Sequence, residues 1–153
     1  MKLGVFIKLF RTQPLDQAIA FAASQGIQTI EIATGGYVGN HHLKPKEALG
    51  NPQAIDKIKQ VLEQNEVAIS ALSCHGNPLH PNRTIAGQHH EDFIDTILLA
   101  KELGVDTVVN FSGCPGESEG RAGYEVVPRY RESFVDLPHR GLRQRTGCLE
   151  GYN

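Results

Sequence analysis

The sequence has few of the residues that mark specialised classes of protein. It contains no tryptophan, one methionine and three cysteines, Cys74, Cys114 and Cys148. Three scattered cysteines cannot form a disulfide framework or a zinc knuckle, so we expect reduced thiols. The formal net charge is only −2, which offers no basic face to nucleic acid. No apolar run approaches the roughly 20 residues of a membrane span, so we expect a cytoplasmic protein without a membrane partner.

What remains is an ordinary globular composition. Hydrophobic residues make up 40% of the 153 residues and charged residues 21%, enough for one core and one domain. The apolar residues near the N-terminus do not form a signal peptide, because Lys8 and Arg11 interrupt them. They predict a strand instead.

A repeat organises the chain. Gly26, Asn65 and Gly104 each end a helical pattern and lead into an apolar run, at equal intervals of about 39 residues. Such alternation of helices with nearly continuous apolar strands is typical of a parallel sheet covered by helices. The pattern predicts four parallel strands and three intervening helices within residues 2–113.

Local signals predict where the three helices lie. The first follows Pro14 and carries apolar residues at helical spacing up to Ala22. Asn51 is a good N-cap for the second helix, followed by Pro52 in the first helical position. The third helix is predicted from about Gln88 to residue 103, which makes His89 and His90 a solvated helix start.

The most informative stretch is residues 73–81, with the sequence SCHGNPLHP. It follows the apolar run 67–72, so its imidazoles, amide and thiol come just after a buried strand. In α/β proteins, ligands bind beyond the carboxyl ends of parallel strands. The sequence therefore predicts a small-molecule site here, although each histidine could equally hydrogen-bond to backbone. Cys74 and Cys114 also follow strand ends, but free cysteine usually packs as a small hydrophobic residue, and we expect neither to be reactive.

Four segments closely resemble the sugar phosphate isomerases/epimerases with the xylose isomerase-like TIM barrel. They are residues 4–6 (GVF), 30–37 (IEIATGGY, with His42 downstream), 70–81 (SALSCHGNPLHP) and 103–116 (LGVDTVVNFSGCPG). The resemblance covers residues 1–120 and implies the first four βα units of an eightfold barrel. The expected fold is thus α/β, a partial TIM barrel, with an irregular C-terminal tail over residues 121–153.

The resemblance also implies a function. Members of the family isomerise or epimerise sugars by metal-dependent proton transfer, commonly with manganese, zinc or magnesium. Their metal and acid/base residues lie on later strands, so we expect no catalytic residue and no bound metal in this chain. The positions left for binding a sugar or sugar phosphate are Glu31, His42, His75, Asn77, His80, Asn110 and Ser112. Glu31 could instead be an ion-paired interior carboxylate.

The composition changes after Gly120. Six of the eight arginines lie between Arg121 and Arg145, whereas the last lysine is Lys101. This tail shows neither a helical stripe nor alternation. A shifted reading frame or premature termination would produce such a change, and so would a genuine adaptor tail; we favour the first.

Two functional hypotheses follow. In the first, the chain is a truncated and inactive form of a sugar isomerase or epimerase. In the second, it is a non-catalytic half-barrel that binds a small molecule or associates, for example with a second copy, through its open sheet edges. The related apurinic endonucleases are disfavoured because residues 1–120 have no basic patch.

Overall fold

The computed structural model describes residues 1–114 of the chain. In this part of the chain, four parallel strands form one sheet in the order β1-β2-β3-β4. The strands are β1 (Gly4–Phe6), β2 (Thr29–Gly36), β3 (Ala68–His75) and β4 (Val108–Asn110). The helices are a 3-10 helix (Ile7–Phe10), α1 (Leu15–Ser24), α2 (Pro45–Ala48), α3 (Pro52–Gln64) and α4 (Arg83–Leu103). The predicted α/β fold with four parallel strands is confirmed.

Two of the predicted helix boundaries are present. At the start of α3, the Asn51 side-chain oxygen accepts the Ala54 N–H at 3.2 Å, which satisfies one of the unpaired donors of the first turn. At the end of α4, Gly104 takes a left-handed conformation with a φ of 70°. Glycine adopts this conformation at little cost, so it ends the helix and turns the chain towards β4.

The start of α4 differs from the prediction. The helix begins at Arg83 rather than near Gln88. The reason is Asn82, whose side-chain oxygen accepts the N–H groups of Thr84 at 2.9 Å and Ile85 at 3.2 Å. This cap adds an extra turn to the helix and brings its first residues close to the loop after β3.

The core lies between the helices and one face of the sheet. It includes Ile30, Ile32 and Leu72 from the strands and Ile19, Ala22, Ile55 and Leu99 from α1, α3 and α4. Because side chains alternate along a strand, the residues between these point to the opposite face. We call this opposite face, away from the helices, the inner face.

Two further observations bear on the sequence analysis. Within residues 1–114, no helix combines the length and apolar character needed to cross a membrane. The predicted irregular tail, residues 121–153, lies outside the described residues.

Candidate functional site

The inner face carries a group of polar and aromatic side chains towards the carboxyl ends of the strands. Phe6 pairs in register with Glu31, and Ser73 pairs with Val109. Residues paired in this way point to the same side of a sheet, and His75 lies two residues beyond Ser73 on that side. The inner face in this region thus presents Phe6, Glu31, Ser73, His75, Val109 and Phe111.

His75 lies between two aromatic rings. Its imidazole stacks on Phe111, with 4.5 Å between ring centroids and 11° between ring planes. On the other side, the ring of Phe6 lies 6.3 Å away at a tilt of 59°. Strands β1 and β3 and the residue directly after β4 therefore each contribute one ring to an aromatic group at the carboxyl end of the sheet.

The His75 ring also has an unsatisfied nitrogen. Its Nε2 atom is buried and has no hydrogen-bond partner within the described part of the chain. A buried polar atom without a partner costs free energy, about 1–3 kcal/mol. This nitrogen is thus ready to bind a group that donates or accepts a hydrogen bond.

Glu31 lies on the same face as His75. Its Oε1 atom accepts a hydrogen bond from the Ser73 hydroxyl, which is fully buried. Glu31 itself is half-buried. This hydrogen bond joins β2 to β3 and places a carboxylate on the inner face, beside Ser73, which lies two residues before His75 on β3. Of the sequence-predicted site residues, His75 and Glu31 are thus brought to one face.

Asn110 occupies a different position. Its Oδ1 atom is buried without a partner within residues 1–114. The register pairs it with Cys74, however, and Cys74 contacts Thr96 of α4 on the helix side. Strand alternation therefore places Asn110 on the face opposite to His75.

Asn77 is held by backbone groups. Its side-chain oxygen accepts the N–H groups of Leu79 at 3.1 Å and Cys114 at 2.9 Å. Its Nδ2 atom donates to the Cys114 carbonyl oxygen at 2.9 Å. The amide thus links the loop after β3 to the segment after β4.

The remaining predicted residues lie apart from this group. His80 Nδ1 accepts the Asn82 N–H at 3.0 Å, next to the start of α4. His42 Nε2 donates a hydrogen bond to the Phe10 carbonyl oxygen at 3.2 Å. The same residue lines a cavity of about 300 Å³ between α1 and α3. Ser112 is exposed.

The sequence interpretation of His89 was wrong. His89 lies within α4 and is buried, whereas His90 is exposed. The Asn77 N–H donates to His89 Nδ1 at 2.9 Å, and the Tyr37 ring packs on the imidazole at 4.8 Å between centroids. No local pattern in the sequence predicts this contact, but Gly76 permits it, because a Cβ atom there would lie only 2.9 Å from that of His89. Helix and loop approach closely at this point.

The Cys74 side chain is fully buried between β3 and α4, on the helix side of the sheet. Burial raises the pKa of its thiol, because the thiolate loses its hydration, and a hydrogen bond with Thr96 opposes this only in part. The thiol therefore stays protonated and packs as a small hydrophobic side chain.

The described residues do not fit a divalent metal ion. Catalytic metal sites use at least three protein ligands, and residues 1–114 contain no group of three His, Cys, Asp or Glu side chains able to hold one. Glu31 and His75 offer a carboxylate and an imidazole on the inner face, without a third such ligand. What these residues can do chemically is accept and donate hydrogen bonds beside an aromatic surface.

Comparison with known proteins identifies the fold family. Residues 19–140 match the family described as xylose isomerase-like TIM barrel, and this match runs beyond Gly120. A relative named "Uncharacterized protein YfiH", from Bacillus subtilis (strain 168), is 37% identical over 116 residues. This alignment covers 75% of the chain but only 36% of the relative, so the chain spans about a third of that protein's length. The chain belongs to the xylose isomerase-like TIM barrel family.

Proposed function

We propose that the inner face binds a sugar and forms the substrate-binding part of a sugar isomerase or epimerase. The observation that carries this proposal is the buried, unpartnered Nε2 atom of His75, beside the half-exposed ring of Phe111. A sugar hydroxyl can both donate and accept a hydrogen bond, so it would satisfy this nitrogen in either tautomer.

The surroundings of His75 suit a sugar as well. Sugars combine apolar C–H faces with hydroxyl groups, and aromatic rings provide a flat apolar surface for the former. The Glu31 carboxylate is an acceptor for a further hydroxyl. Small-molecule sites typically have this composition, apolar walls with a few placed polar groups.

The chemical step would need more than these residues. Moving a proton next to a carbonyl requires a base within hydrogen-bond reach and a positive charge to stabilise the enediolate. The family resemblance implies that a divalent metal supplies this charge, but residues 1–114 provide no three-ligand cluster for it. We therefore propose that this chain binds and orients the sugar and, by itself, does not isomerise it.

Titration of the full 153-residue chain with unphosphorylated ketoses and aldoses, followed by NMR, tests the binding proposal. We expect shifts of the His75 and Phe111 ring resonances and millimolar dissociation constants. His75→Ala should weaken binding at least fivefold, whereas His90→Ala, which removes an exposed imidazole on α4, should not. Binding that is unaffected by His75→Ala would contradict the proposal.

A coupled assay tests the proposed absence of turnover. The purified chain is mixed with each sugar and its phosphate, with manganese, zinc or magnesium in turn. We expect no product above the background of each metal alone. Metal-dependent turnover that His75→Ala abolishes would show that the chain is a complete enzyme.

A second candidate function is association through the sheet edges without catalysis. In the described part of the chain, β1 and β4 are the outermost strands, and Leu3 and Phe111 beside them are exposed. Open strand edges and apolar side chains favour pairing with another chain. Light scattering with size-exclusion chromatography distinguishes the two: a stable dimer that binds no sugar would favour this alternative.

A further inference from the structure

The Asn77 side chain has little capacity left for a ligand. Asn77 is only 4% exposed, and its oxygen already accepts two backbone N–H groups, from Leu79 and Cys114. An amide oxygen has two lone pairs, so both are in use. One Nδ2 hydrogen is also in use, since it is donated to the Cys114 carbonyl oxygen. The residue that the sequence indicated as a sugar ligand is therefore occupied by the protein itself.

The path of the chain between Phe111 and Cys114 depends on Gly113 as well as on Asn77. Within residues 1–114, no backbone–backbone hydrogen bond joins residues 111–113 to another loop. Gly113 passes so close to Asn77 that a Cβ atom there would lie 2.7 Å from Asn77 Oδ1. Gly113 also has a φ of 87°, a conformation that side chains disfavour. Amide and glycine together fix the path of the chain directly after Phe111.

We propose that Asn77 is a positioning residue that holds Phe111 against His75. Asn77 lies two residues after His75, and its hydrogen bonds hold Cys114, three residues after Phe111, against the loop after β3. Two connections therefore flank the stacked pair. The β3–β4 pairing lies before it along the chain, and the hydrogen bonds between Asn77 and Cys114 lie after it. The role of Asn77 in ligand binding rests on the proposed function, whereas its effect on the stack does not.

The stack has a direct spectroscopic signature. A phenyl ring parallel to an imidazole shifts the imidazole proton resonances upfield through its ring current. In the full chain, Phe111→Leu gives the position of the His75 ring protons without the stack. We expect Asn77→Ala to move these resonances most of the way from the wild-type position to that of Phe111→Leu.

A matched control separates positioning from general loosening of the loop. Asn82 lies on the same loop and its side-chain oxygen also accepts two backbone N–H groups, but within residues 1–114 both belong to the start of α4. Asn82→Ala should leave the His75 ring resonances unchanged. Equal shifts in Asn77→Ala and Asn82→Ala would overturn the proposal, as would a folded Asn77→Ala variant with wild-type resonances.

A second variant covers the case in which Asn77→Ala does not fold. Gly113→Ala leaves the Asn77 side chain intact and places a methyl group against its oxygen. It should displace the same segment and move the His75 resonances in the same direction; unchanged resonances would overturn the proposal.

The two proposals fail separately. If the chain binds sugar but neither variant changes the His75–Phe111 stack, the positioning role of Asn77 is refuted. If the stack depends on Asn77 but the chain binds no sugar, only the proposed sugar-binding function is refuted.

Discussion

The imidazole of His75 lies nearly parallel to the ring of Phe111, at 4.5 Å between centroids. His75 is the last residue of β3, and Phe111 is the first residue after β4. The contact therefore joins neighbouring strands where ligands bind in this type of fold. It also fixes the direction of the unpartnered Nε2 atom.

The stack should contribute to stability as a coupled pair. Aromatic pairs contribute about 0.5–1.5 kcal/mol beyond the area they bury. We expect a coupling free energy of about this size from the cycle His75→Ala, Phe111→Ala and the double variant, measured by urea unfolding. The cycle of His90→Ala with Phe111→Ala is the control and should be additive. An additive His75–Phe111 cycle would show that the rings do not interact in solution.

Much of the fold could be predicted from the sequence, because its signals are local. The apolar runs and helix stops such as Gly104 depend only on neighbouring residues. They indicated the parallel strands and the helices α1, α3 and α4, but not the short α2. The start of α4 was harder, since His89 and His90 look like a polar helix end. Whether His89 is exposed depends on how the loop at Gly76 folds against the helix, which no local pattern shows.

The site was predictable in part. A position after a strand end indicated His75, and the family resemblance indicated Glu31. In the structure both side chains lie on the inner face. The hydrogen bonds of Asn77 and His42 run to Cys114 and Phe10, which are remote in the sequence. Such partners are set by loop paths, so spacing could not show that these side chains are already in use.

Gly36 should tolerate no side chain. It has a φ of 66°, and a Cβ atom there would overlap the His75 carbonyl group. Gly50 has a similar φ of 76° but open space around it, so Gly50→Ala measures the backbone strain alone. We expect Gly36→Ala to lower the free energy of unfolding by about 1–3 kcal/mol more than Gly50→Ala, because backbone atoms must move. Equal losses in urea unfolding would show that β2 and β3 separate easily at this point.

Glu31 should disfavour phosphorylated ligands. Its carboxylate lies on the inner face, beside the proposed sugar site, and the hydrogen bond it accepts comes from the uncharged Ser73 hydroxyl. Repulsion between two negative charges at the edge of a protein is about 1 kcal/mol or more. We expect the chain to bind a free sugar more tightly than its phosphate, and Glu31→Gln to narrow this difference. An unchanged ratio of dissociation constants in NMR titrations would place the phosphate away from Glu31.

Cys74 should make stability depend on alkaline pH. Burial raises the pKa of its thiol, so the folded state keeps the proton to higher pH than the unfolded state does. The stability this thiol contributes is therefore fully present below its unfolded pKa, about 8.5, and is lost as the pH rises through the folded pKa. The reason is that the thiol ionises at a lower pH in the unfolded chain, which lowers the free energy of the unfolded state relative to the folded state.

Cys74→Ala isolates this effect, because Cys114 and Cys148 are present in both proteins and their ionisation cancels. We expect the free energy of unfolding of the wild type to exceed that of the variant at pH 7. This excess should begin to shrink near pH 8.5 and continue to shrink towards pH 10, as measured in urea with a reductant present. Iodoacetamide should leave Cys74 unmodified in the folded chain at pH 7 and modify it in urea, as read by mass spectrometry of peptides. A constant excess over this pH range, or rapid modification of the folded chain, would mean that water reaches the thiol and that the sheet and α4 are not closely packed around it.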